Sequence, residues 1–568
     1  PQGTVYQKTR AFITALFEVR PPKSYLESES RLDLFSNETT YTRMLDAIHV
    51  LQWGKEAVHP LKNALFGLSA PKFADSPDSM NALSFHNRHL NESQEHAVLQ
   101  ALRAKSFFLI HGPPGTGKTT TCVELIAQLV QHGEKVLVTG DSNTSVDNLV
   151  DGIADVPGVS LVRLGNPARV SELLLHFTLD FQVEHDPRYA QVRQLRAQIA
   201  TLREAQSELA RPTPQRLRGL SRTEVRRLAA RGKAARGLAA EDLSEMRDWM
   251  ESQDQIDPIV ARVRKLEDQI IAGVLKRADV VCATNSTSGA EMLDGMAFDS
   301  VVIDEATQAT EPSCYIPLLK GRRFFLAGDH RQLPPTVRSR EAEAEGLSIS
   351  LFERLLALYP DRSREPIHAL LKVQYRMNEK ILAFSSAEFY GHQVVSDPTV
   401  QDHTIEEFLI KHPYLEHEPL FKEVVSPDPL LFIDTAGHLA EVQRTGSFSR
   451  ENPAEAALVQ KIVGRLYNYG VPALDIGVIT PYKDQVDILR KDLSVPGVEV
   501  HTVDGFQGRE KEVIIVSLVR SNPEQEIGFL ADERRLNVSL TRARRKLIVI
   551  GDRQTLAASP IYARLMEY

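Results

Sequence analysis

The sequence predicts an α/β protein whose two tandem lobes are each built on a parallel β-sheet. In the first half, the apolar segment 107–110 precedes a glycine-rich turn, a helix ending at Gly133 and a further apolar strand at 135–139. Short apolar runs recur in the second half without another such turn, at 430–434, 476–480, 498–503, 513–518 and 546–550. This alternation of strands and helices is typical of a parallel sheet covered by helices.

The glycine-rich turn fits the phosphate-binding pattern Gly-x4-Gly-Lys-Ser/Thr at every position. Glycines allow successive backbone N–H groups to point inward, and the start of the following helix adds a partial positive charge. Lys118 is expected to reach the β- and γ-phosphates, and the Thr119 hydroxyl to complete a Mg²⁺ site. The residues expected around the phosphates are Gly112, Pro113, Pro114, Gly115, Thr116, Gly117, Lys118, Thr119 and Thr120. The sequence therefore predicts binding of a nucleoside triphosphate.

Length and composition limit the classes of protein that fit the chain. Its 568 residues suffice for three or four domains, and no apolar run approaches the roughly 20 residues of a membrane span. The cysteines Cys122, Cys282 and Cys314 are too few and too scattered for a disulfide framework or a Cys-x-x-Cys metal site. The cysteines suit an intracellular, reducing compartment, cytoplasm or nucleus, and the lack of a long apolar run predicts no membrane partner. With a net charge of −8, nucleic acid can bind only where basic residues are concentrated locally.

Polar residues at three further places extend the predicted nucleotide site. The apolar segment 300–303 ends in Asp304, expected to hold the Mg²⁺ shell, and Glu305, expected to orient and deprotonate the attacking water. The next strand, 323–327, leads to Gln332, which could bridge the γ-phosphate and the nucleic-acid side. Gln94 precedes the phosphate loop, and its amide offers an adenine edge one donor and one acceptor.

Residues 185–275 interrupt the α/β alternation. Apolar residues spaced by three and four at 192–202 and at 259–270 predict an antiparallel helical hairpin inserted in the first lobe. Between them, segment 211–236 carries nine basic residues and one acid, Glu224. This imbalance favours contact with a phosphate backbone, the alternative being a solvated face or ion pairs with the second helix. The candidate contacts are Arg218, Arg222, Arg226 and Arg227.

Two arginines of the second half lie beside turn residues. Arg376 lies in the segment Gln-Tyr-Arg-Met, and Arg542 lies in the basic segment 534–544. If the second lobe faces the nucleotide of the first, both arginines could act as arginine fingers.

In this order the segments resemble the superfamily 1B helicases of the up-frameshift type, above all the immunoglobulin-mu-binding-protein and DNA-polymerase-alpha-associated helicase A group. The resemblance extends from about residue 90 to about residue 552. Its segments are Gln94, GPPGTGKTT, SNTSVDNL, DEATQATEPS, GDHRQLPP, QYRM, GVITPY, VDGFQGREKE and RRLNVSLTRAR. One departure is Gly140-Asp141, where the family usually has Ala-Pro, and an acid there is expected to weaken or reorient a phosphate contact.

The resemblance implies two RecA-like lobes with ATP between them. The expected domains are a partial β-barrel at 1–40, stalk helices and a linker at 41–89, a first lobe at 90–184 and 276–344, a helical insertion at 185–275, and a second lobe at 345–568. By motif it implies a hydrolytic centre of Lys118, Thr119, Asp304 and Glu305. The other nucleotide contacts implied are Gln94, Gln332, Tyr375, Arg376, Gly508, Glu510 and Arg542. The implied nucleic-acid track consists of Ser142, Asn143, Thr284, Thr480, Pro481, Thr502 and Asp504.

We therefore expect an ATP-dependent, Mg²⁺-requiring helicase that moves along single-stranded nucleic acid as a monomer, 5′ to 3′ by resemblance alone. Two alternatives stay open: a translocase that strips proteins from single strands without unwinding, and a clamp that uses ATP only as a switch. The sequence does not distinguish DNA from RNA, because the implied contacts are mostly to the backbone and 2′-OH recognition leaves no motif.

Overall fold

The computed structural model describes residues 4–8, 13–16, 38–54, 61–74, 84–360, 366–410, 419–438 and 440–568. The chain divides into two compact units. One comprises Pro1–Asn37 and Pro157–Met296, and the other comprises Glu38–Val156 and Ala297–Tyr568. Within the described residues, none of the helices combines the length and the apolar character needed to cross a bilayer.

The strands of the described residues are short and mostly apolar. In chain order they are β1 (Thr4–Lys8), β2 (Ile13–Leu16), β3 (Phe107–His111), β4 (Val136–Gly140), β5 (Leu161–Arg163), β6 (Val280–Thr284), β7 (Phe298–Asp304), β8 (Gly321–Gly328), β9 (His368–Leu370), β10 (Val373–Gln374), β11 (Val395–Ser396), β12 (Leu430–Asp434), β13 (Ile476–Thr480), β14 (Glu499–Thr502), β15 (Lys511–Ser517) and β16 (Ala543–Gly551).

The helices of the described residues range from single turns to one long rod. They are α1 (Thr39–Trp53), α2 (Lys62–Leu65), α3 (Glu92–Arg103), α4 (Lys118–Gln131), α5 (Asn143–Ala154), α6 (Leu179–Glu184), α7 (Tyr189–Ser207), α8 (Pro214–Leu217), α9 (Arg222–Ala230), α10 (Ala240–Arg277), α11 (Glu311–Leu318), α12 (Arg340–Ala344), α13 (Leu351–Leu358), α14 (Glu379–Tyr390), α15 (Pro419–Val424), α16 (Pro453–Asn468), α17 (Lys483–Asp492), α18 (Val503–Phe506), α19 (Glu533–Leu540), α20 (Arg553–Leu556) and α21 (Pro560–Glu567). Short 3₁₀ turns occur at Pro167–Arg169, Glu172–Phe177, Thr287–Gly289, Glu291–Leu293, Ile405–Phe408, Ala473–Asp475 and Gly528–Ala531.

The larger unit contains a parallel sheet in which β4, β7, β8, β3 and β9 are adjacent in that order. Its strands are almost wholly buried, as expected for a sheet with helices on both faces. The register aligns the strand ends, because Gly140 pairs with Asp304 and His111 pairs with Gly328. The phosphate loop after β3 and the acidic end of β7 therefore lie at one edge of the sheet, where ligands of such sheets bind.

The first lobe continues further along the chain than the sequence boundary at residue 344 suggests. Strand β9 pairs with β3, so residues up to Leu370 belong to the first sheet rather than to the second lobe. The side chain of Arg354, on α13, is hydrogen-bonded to Glu311 at the start of α11. A three-residue strand gives too short an apolar pattern to be assigned to a sheet from sequence.

A second parallel sheet of the same unit has the strand order β12-β16-β15-β13-β14. Two apolar cores are built around it, one including Met377 and Leu536, the other including Val459 and Val478. Two parallel α/β sheets in tandem are thus present, and the predicted fold class is confirmed.

The smaller unit contains the parallel pair β5–β6 and the helices between these strands. Helices α7 and α10 pack together, and Arg196 of α7 is 2.6 Å from Glu267 of α10. Both helices fall in the part of the chain, 185–275, for which the sequence predicted a helical insertion. At the N-terminus β1 and β2 form an antiparallel pair, and most of the predicted barrel lies outside the described residues, so the barrel stays a prediction.

Candidate active site

The phosphate loop connects the buried strand β3 to the N-terminus of α4. Gly115 and Gly117 have φ angles of 75° and 73°, a region in which a side chain is strained. Thr116 closes the turn, because its hydroxyl donates to the Pro113 carbonyl at 2.7 Å. The loop therefore has the turn geometry for which its glycines were predicted, and its backbone amides form a site for an anion.

Lys118 lies in a cluster with the two predicted catalytic acids. Its Nζ is 2.5 Å from Glu305 Oε1 and 3.7 Å from Asp304 Oδ1. Burial alone disfavours the ammonium ion, but the charges of Glu305 and Asp304 raise the pKa of Lys118 above its usual value. Burial raises the pKa of the Asp304 carboxyl to about 6, opposed by the charge of Lys118. The structure thus brings together the three residues that the sequence assigned to hydrolysis.

Glu305 is held in a fixed orientation. Its φ is +51°, a value uncommon for a residue other than glycine and found most often at functional sites. Its backbone N–H donates to Asp304 Oδ1 at 2.8 Å, and Gln308 Nε2 donates to its Oε2 at 2.6 Å. A carboxylate held in this way needs little reorganisation to orient a water molecule.

The chemistry of the nearby donors fits Mg²⁺. The carboxylate of Asp304 and the hydroxyl of Thr119 supply oxygen ligands, which Mg²⁺ prefers, beside a loop suited to phosphate. Beside the first turn of α4, a cavity of about 530 Å³ is lined in part by Thr119, Thr120 and His89.

Gln94 contacts the phosphate loop directly. Its Nε2 donates to the Thr116 carbonyl at 3.0 Å, and a Cβ atom at position 117 would lie 2.4 Å from this nitrogen. Its Oε1 accepts from the Asn91 backbone N–H at 2.9 Å, which completes the capping box of α3. Asn91 Nδ2 also donates to the Tyr375 hydroxyl at 3.0 Å. The sequence did not predict that Gln94 supports the loop as well as offering an amide to a base.

The segment around Arg376, from the second lobe, packs against the phosphate loop. Tyr375 N–H donates to the Gly115 carbonyl at 2.8 Å, and a Cβ atom at Gly115 would lie 2.7 Å from Arg376 Cβ. The Arg376 guanidinium bonds to Glu510 and to the Thr541 carbonyl. Although burial acts in the opposite direction, Arg376 and Arg544 hold the pKa of Glu510 below its usual value. Glu510 therefore orients Arg376, and Gly508 lies two residues before it with φ +78°.

Arg542 and Gln332 meet across the two lobes. Arg542 Nη2 donates to Gln332 Oε1 at 2.9 Å, while its Nε donates to the Val538 carbonyl at 3.1 Å. Burial and the charge of Arg376 lower the pKa of Arg542 below its usual value, and Glu305 opposes that shift. The second lobe therefore faces the nucleotide motifs of the first. This arrangement is required if Arg376 and Arg542 are to act as the arginine fingers that the sequence suggested.

Sequence reasoning missed a buried hydrogen-bond node at Asp329. His111 Nε2 lies 3.0 Å from its Oδ1, while Gln332 Nε2 and the Tyr390 hydroxyl donate to its Oδ2 at 2.8 and 2.7 Å. Asn537 of α19 donates in turn to the Tyr390 oxygen at 2.8 Å. Burial opposes the carboxylate, but these partners hold the pKa of Asp329 well below its usual range.

The only signal for this node in the sequence was a polar residue at the end of the apolar strand β8. His111, Asp329 and His330 are also close enough together to share a metal ion. Both oxygens of Asp329 are already hydrogen-bonded, so we assign the group a hydrogen-bonding role.

The predicted nucleic-acid residues of the first lobe begin helix α5. Ser142 caps this helix by accepting the Ser145 N–H at 3.1 Å, and Asn143 is its first residue. A Cβ atom at Gly140 would lie 2.5 Å from Ser145 Oγ, so an alanine here would require that hydroxyl to move. The Asp141 carboxylate accepts from the Ser313 hydroxyl at 2.9 Å, which fixes its orientation.

In the second lobe, Thr480 ends strand β13 and Pro481 follows it, and the buried Thr480 hydroxyl lacks a hydrogen-bond partner among the described residues. Thr502 caps α18 by accepting the Gly505 N–H at 3.2 Å, and Asp504 is 3.5 Å from Arg535. Thr284, in the smaller unit, shares a hydrogen bond of 2.8 Å with the Thr287 hydroxyl.

The basic segment 211–236 forms a small folded region against α10, with a core that includes Val225 and Met246. Arg226 bonds to Asp254 of α10, which is the pairing that the sequence left as an alternative. Arg218 Nη1 donates to the carbonyls of Arg236 and Gly237 at 3.1 and 2.9 Å, and Arg236 Nη1 donates back to the Arg218 carbonyl at 3.0 Å. Arg222 and Arg227 are exposed. All four candidate arginines are thus exposed, and two of them, Arg218 and Arg226, also have intramolecular partners.

Comparisons with known proteins identify the family. Two models, each described as an AAA domain, match residues 89–340 and 347–554. An uncharacterized ATP-dependent helicase of Methanocaldococcus jannaschii is 38% identical over 98% of this chain and 81% of its own length. The chain belongs to the superfamily 1B helicases of the up-frameshift type. A second relative, DNA polymerase alpha-associated DNA helicase A of Schizosaccharomyces pombe, is 36% identical over 94% of this chain and 74% of its own length. A third, DNA-binding protein SMUBP-2 of Mus musculus, is 38% identical over 95% of this chain and 50% of its own length.

Family membership confirms the enzyme class predicted from the sequence, an ATP-dependent helicase with RecA-like lobes. The helicase spans about half the length of SMUBP-2, so activities of that whole protein are not transferred here. The roles of the individual site residues stay predictions.

Proposed function

We propose that this helicase couples hydrolysis of Mg²⁺-ATP to movement along single-stranded DNA or RNA and to unwinding of duplexes, as a monomer and with 5′ to 3′ polarity. The proposal rests on the contacts that the two lobes make with each other at the nucleotide site, which we call the joint. Gln332 of the first lobe bonds Arg542 of the second at 2.9 Å, and Tyr375 bonds the phosphate loop. A nucleotide-dependent change at this joint alters the position of one lobe relative to the other.

Hydrolysis is assigned to the cluster at the acidic end of β7. Lys118 leaves its ion pair with Glu305 to bind the phosphates, which frees Glu305 to accept a proton from the attacking water. Mg²⁺, held by Thr119 and Asp304, supplies charge neutralisation at the phosphates when it is bound. Arg376 and Arg542 stabilise the charge that develops on the γ-phosphate. Gln332 contacts the γ-phosphate and, through its bond to Arg542, links the bound nucleotide to the second lobe.

Base recognition is assigned to Gln94 and Tyr375. The Gln94 amide keeps one N–H and one oxygen lone pair beyond the bonds that it makes to the phosphate loop and to Asn91. Tyr375 is 39% exposed and presents an aromatic ring on which a base can stack.

The nucleic-acid track is assigned to residues at strand ends, namely Ser142, Asn143, Thr284, Thr480, Pro481, Thr502 and Asp504. Within the larger unit they follow or cap elements at the carboxyl ends of β4, β13 and β14. Arg222 and Arg227 of the basic segment add backbone contacts. The three cysteines are buried and belong to no disulfide of the described residues, which supports work in a reducing compartment.

A side-by-side ATPase assay with matched single-stranded DNA and RNA tests this function and identifies the polymer. We expect turnover that requires Mg²⁺, is abolished by EDTA, and is stimulated by at least one of the two strands. A strand-displacement assay on a tailed duplex then separates the helicase from a translocase that only strips proteins. Nucleotide-dependent binding with no stimulated turnover would instead favour an ATP-switched clamp.

A further inference from the structure

We propose that Phe448, at the tip of the loop 435–452, stacks on a base of the single-stranded nucleic acid. This inference rests on the proposed function and adds a contact that neither the motifs nor the comparisons assign. We call residues 435–452, described except for position 439, the Phe448 loop. It connects β12 to α16.

The Phe448 side chain is as exposed as in an extended peptide, with a relative accessibility of 101%. Full exposure of a phenylalanine ring to water is unfavourable by roughly 1.5–3 kcal/mol compared with burial. A ring held in this way at a loop tip is therefore available to a flat apolar partner, and every nucleobase offers such a face.

The Phe448 loop has a defined backbone. Val442 and Glu451 pair in antiparallel fashion, with N–H···O distances of 2.7 and 3.0 Å. Between them, Ser447 N–H donates to the Arg444 carbonyl at 3.0 Å, and Gly446 supplies the positive φ of 80° that the turn requires. Phe448 directly follows this turn, so the hairpin limits the backbone entropy that is lost when the exposed ring binds.

The root of the Phe448 loop is fixed to the ends of two central strands. Ser449 Oγ accepts the Asp484 N–H at 3.1 Å, and Asn452 N–H donates to Gln485 Oε1 at 2.8 Å, both shortly after β13. Asn452 Nδ2 donates to the Val519 carbonyl, just after β15. Val519 has a φ of +71°, which is rare for a β-branched residue and marks a strained position of the kind found at functional sites.

The position of this root separates it from the nucleotide. Glu510 and Arg542 directly precede the parallel strands β15 and β16, so the nucleotide site adjoins the amino ends of these strands. The Phe448 loop is attached at the carboxyl ends of β12, β13 and β15, roughly 20 Å away along a strand of seven residues. Thr480 and Pro481 of the proposed nucleic-acid track lie at this same edge. A polymer that follows this edge meets Phe448 without entering the nucleotide site.

Arg444 and Arg450 lie on either side of Phe448 in the sequence, but both are paired within the loop. Arg444 pairs with Glu451, and Arg450 pairs with Glu441. Because the two glutamates compensate these charges, the contribution of the loop is expected to come from stacking rather than from phosphate attraction. Stacking and phosphate contact can be separated experimentally, since only the second depends steeply on salt.

The test uses fluorescence anisotropy with an oligothymidylate and with an abasic-sugar oligomer of the same length and charge. Phe448→Ala should weaken oligothymidylate binding by roughly 5- to 150-fold, as expected when one base no longer stacks, with an unchanged salt slope. Binding of the abasic oligomer should stay at the level of the parent. Phe448→Trp should restore affinity, and its fluorescence should be quenched by oligothymidylate but not by the abasic oligomer.

Tyr467→Ala is the matched control, because Tyr467 is 51% exposed near the other end of α16 and its replacement should change neither affinity. An unchanged thermal midpoint of Phe448→Ala verifies that the fold is intact. Equal binding of both oligomers by Phe448→Ala and the parent would overturn the stacking role while leaving the proposed function standing. A parent protein that binds no single strand would overturn the proposed function itself.

Discussion

Lys118, Asp304 and Glu305 form a largely buried cluster of opposite charges, so the residues proposed for hydrolysis are in contact with one another. The sequence predicted this grouping because each residue follows a buried strand within a short motif. The support provided by neighbours was not predictable, since the bond from Gln308 to Glu305 and that from Gln94 to the phosphate loop depend on side-chain orientation.

Glu305→Gln should abolish turnover and preserve ATP binding. Glutamine keeps the size of the side chain but cannot accept the water proton, and it also leaves Lys118 without its closest carboxylate partner. The measurements are single-turnover hydrolysis and nucleotide affinity, with the exposed Glu92→Gln as control. Hydrolysis at the rate of the parent would remove Glu305 from the role of general base.

Arg542→Lys should lower kcat by on the order of 10³ or more, with a much smaller effect on ATP affinity. Lysine keeps the positive charge but cannot donate simultaneously to Gln332 and to the Val538 carbonyl, as the planar guanidinium does. Steady-state kinetics and direct nucleotide binding separate the two parameters, with the exposed Arg553→Lys as control. A loss of ATP binding at unchanged kcat would make Arg542 a ground-state clamp.

Single segments of this protein contribute both to an apolar core and to polar or charged contacts. The loop 329–335 contributes Gln332, which accepts a hydrogen bond from Arg542, while its Leu333 packs in the apolar core of the second lobe. In the smaller unit, the segment 211–236 folds around its own apolar core and still exposes several arginines. The charge imbalance of this segment was visible in the sequence, but which of its arginines have intramolecular partners depends on tertiary contacts.

Replacing both Arg222 and Arg227 with glutamine should weaken binding to all single-stranded sequences alike. The log–log salt slope should become shallower by roughly 0.7 for each phosphate that the protein no longer neutralises. Titrations at several salt concentrations measure this effect, with Lys461→Gln/Lys491→Gln as a charge-matched control on the second lobe. Affinity and slope equal to those of the parent would leave the segment with a structural role only.

The second lobe should lose stability as the pH rises through 7. Burial raises the pKa of Glu455 to about 7 from a usual value of 4.5, so the folded lobe holds a proton that the unfolded chain releases. The resulting stabilisation is fully present below pH 4.5 and is lost as pH rises through 7. Glu455→Gln imitates the protonated form, so its thermal midpoint should exceed that of the parent increasingly between pH 5 and 8. If the thermal midpoints of the variant and the parent differ by the same amount at every pH, the raised pKa of Glu455 is contradicted.

At the scale of the whole molecule, the two lobes of the larger unit are joined by a few buried polar contacts. Tyr390 bonds both Asp329 of the first lobe and Asn537 of the second. The motifs predicted two lobes facing one nucleotide, since each motif is local in sequence. They could not predict the node, which joins residues 61 positions apart and exists only once the lobes have docked. The extent of the first lobe to β9 was missed for a different reason, because a three-residue strand has too short an apolar pattern to be assigned to a sheet from sequence.

Tyr390→Phe should lower kcat by roughly one to two orders of magnitude and leave the KM for ATP nearly unchanged. The substitution removes one hydrogen bond to a charged acceptor, worth about 1.5–3 kcal/mol, while Gln332 and His111 still hold Asp329. Steady-state ATPase measurements at saturating single strand test this, with Tyr467→Phe as control. A parallel change in KM, or none in kcat, would argue against coupling through Tyr390.

The reciprocal bonds between Arg218 and Arg236 have a consequence for the exchange of segments between proteins. They bring the two ends of the stretch 219–235 within one hydrogen bond of each other, at neighbouring glycines where a Cβ atom would meet the opposite guanidinium. Replacing the stretch by another of different length costs little loop-closure entropy, but the new stretch must keep apolar residues in place of Leu220 and Val225, which pack in the core against α10. With that core kept, we expect that stretches of different length can be exchanged between related proteins at this point without loss of stability in the smaller unit.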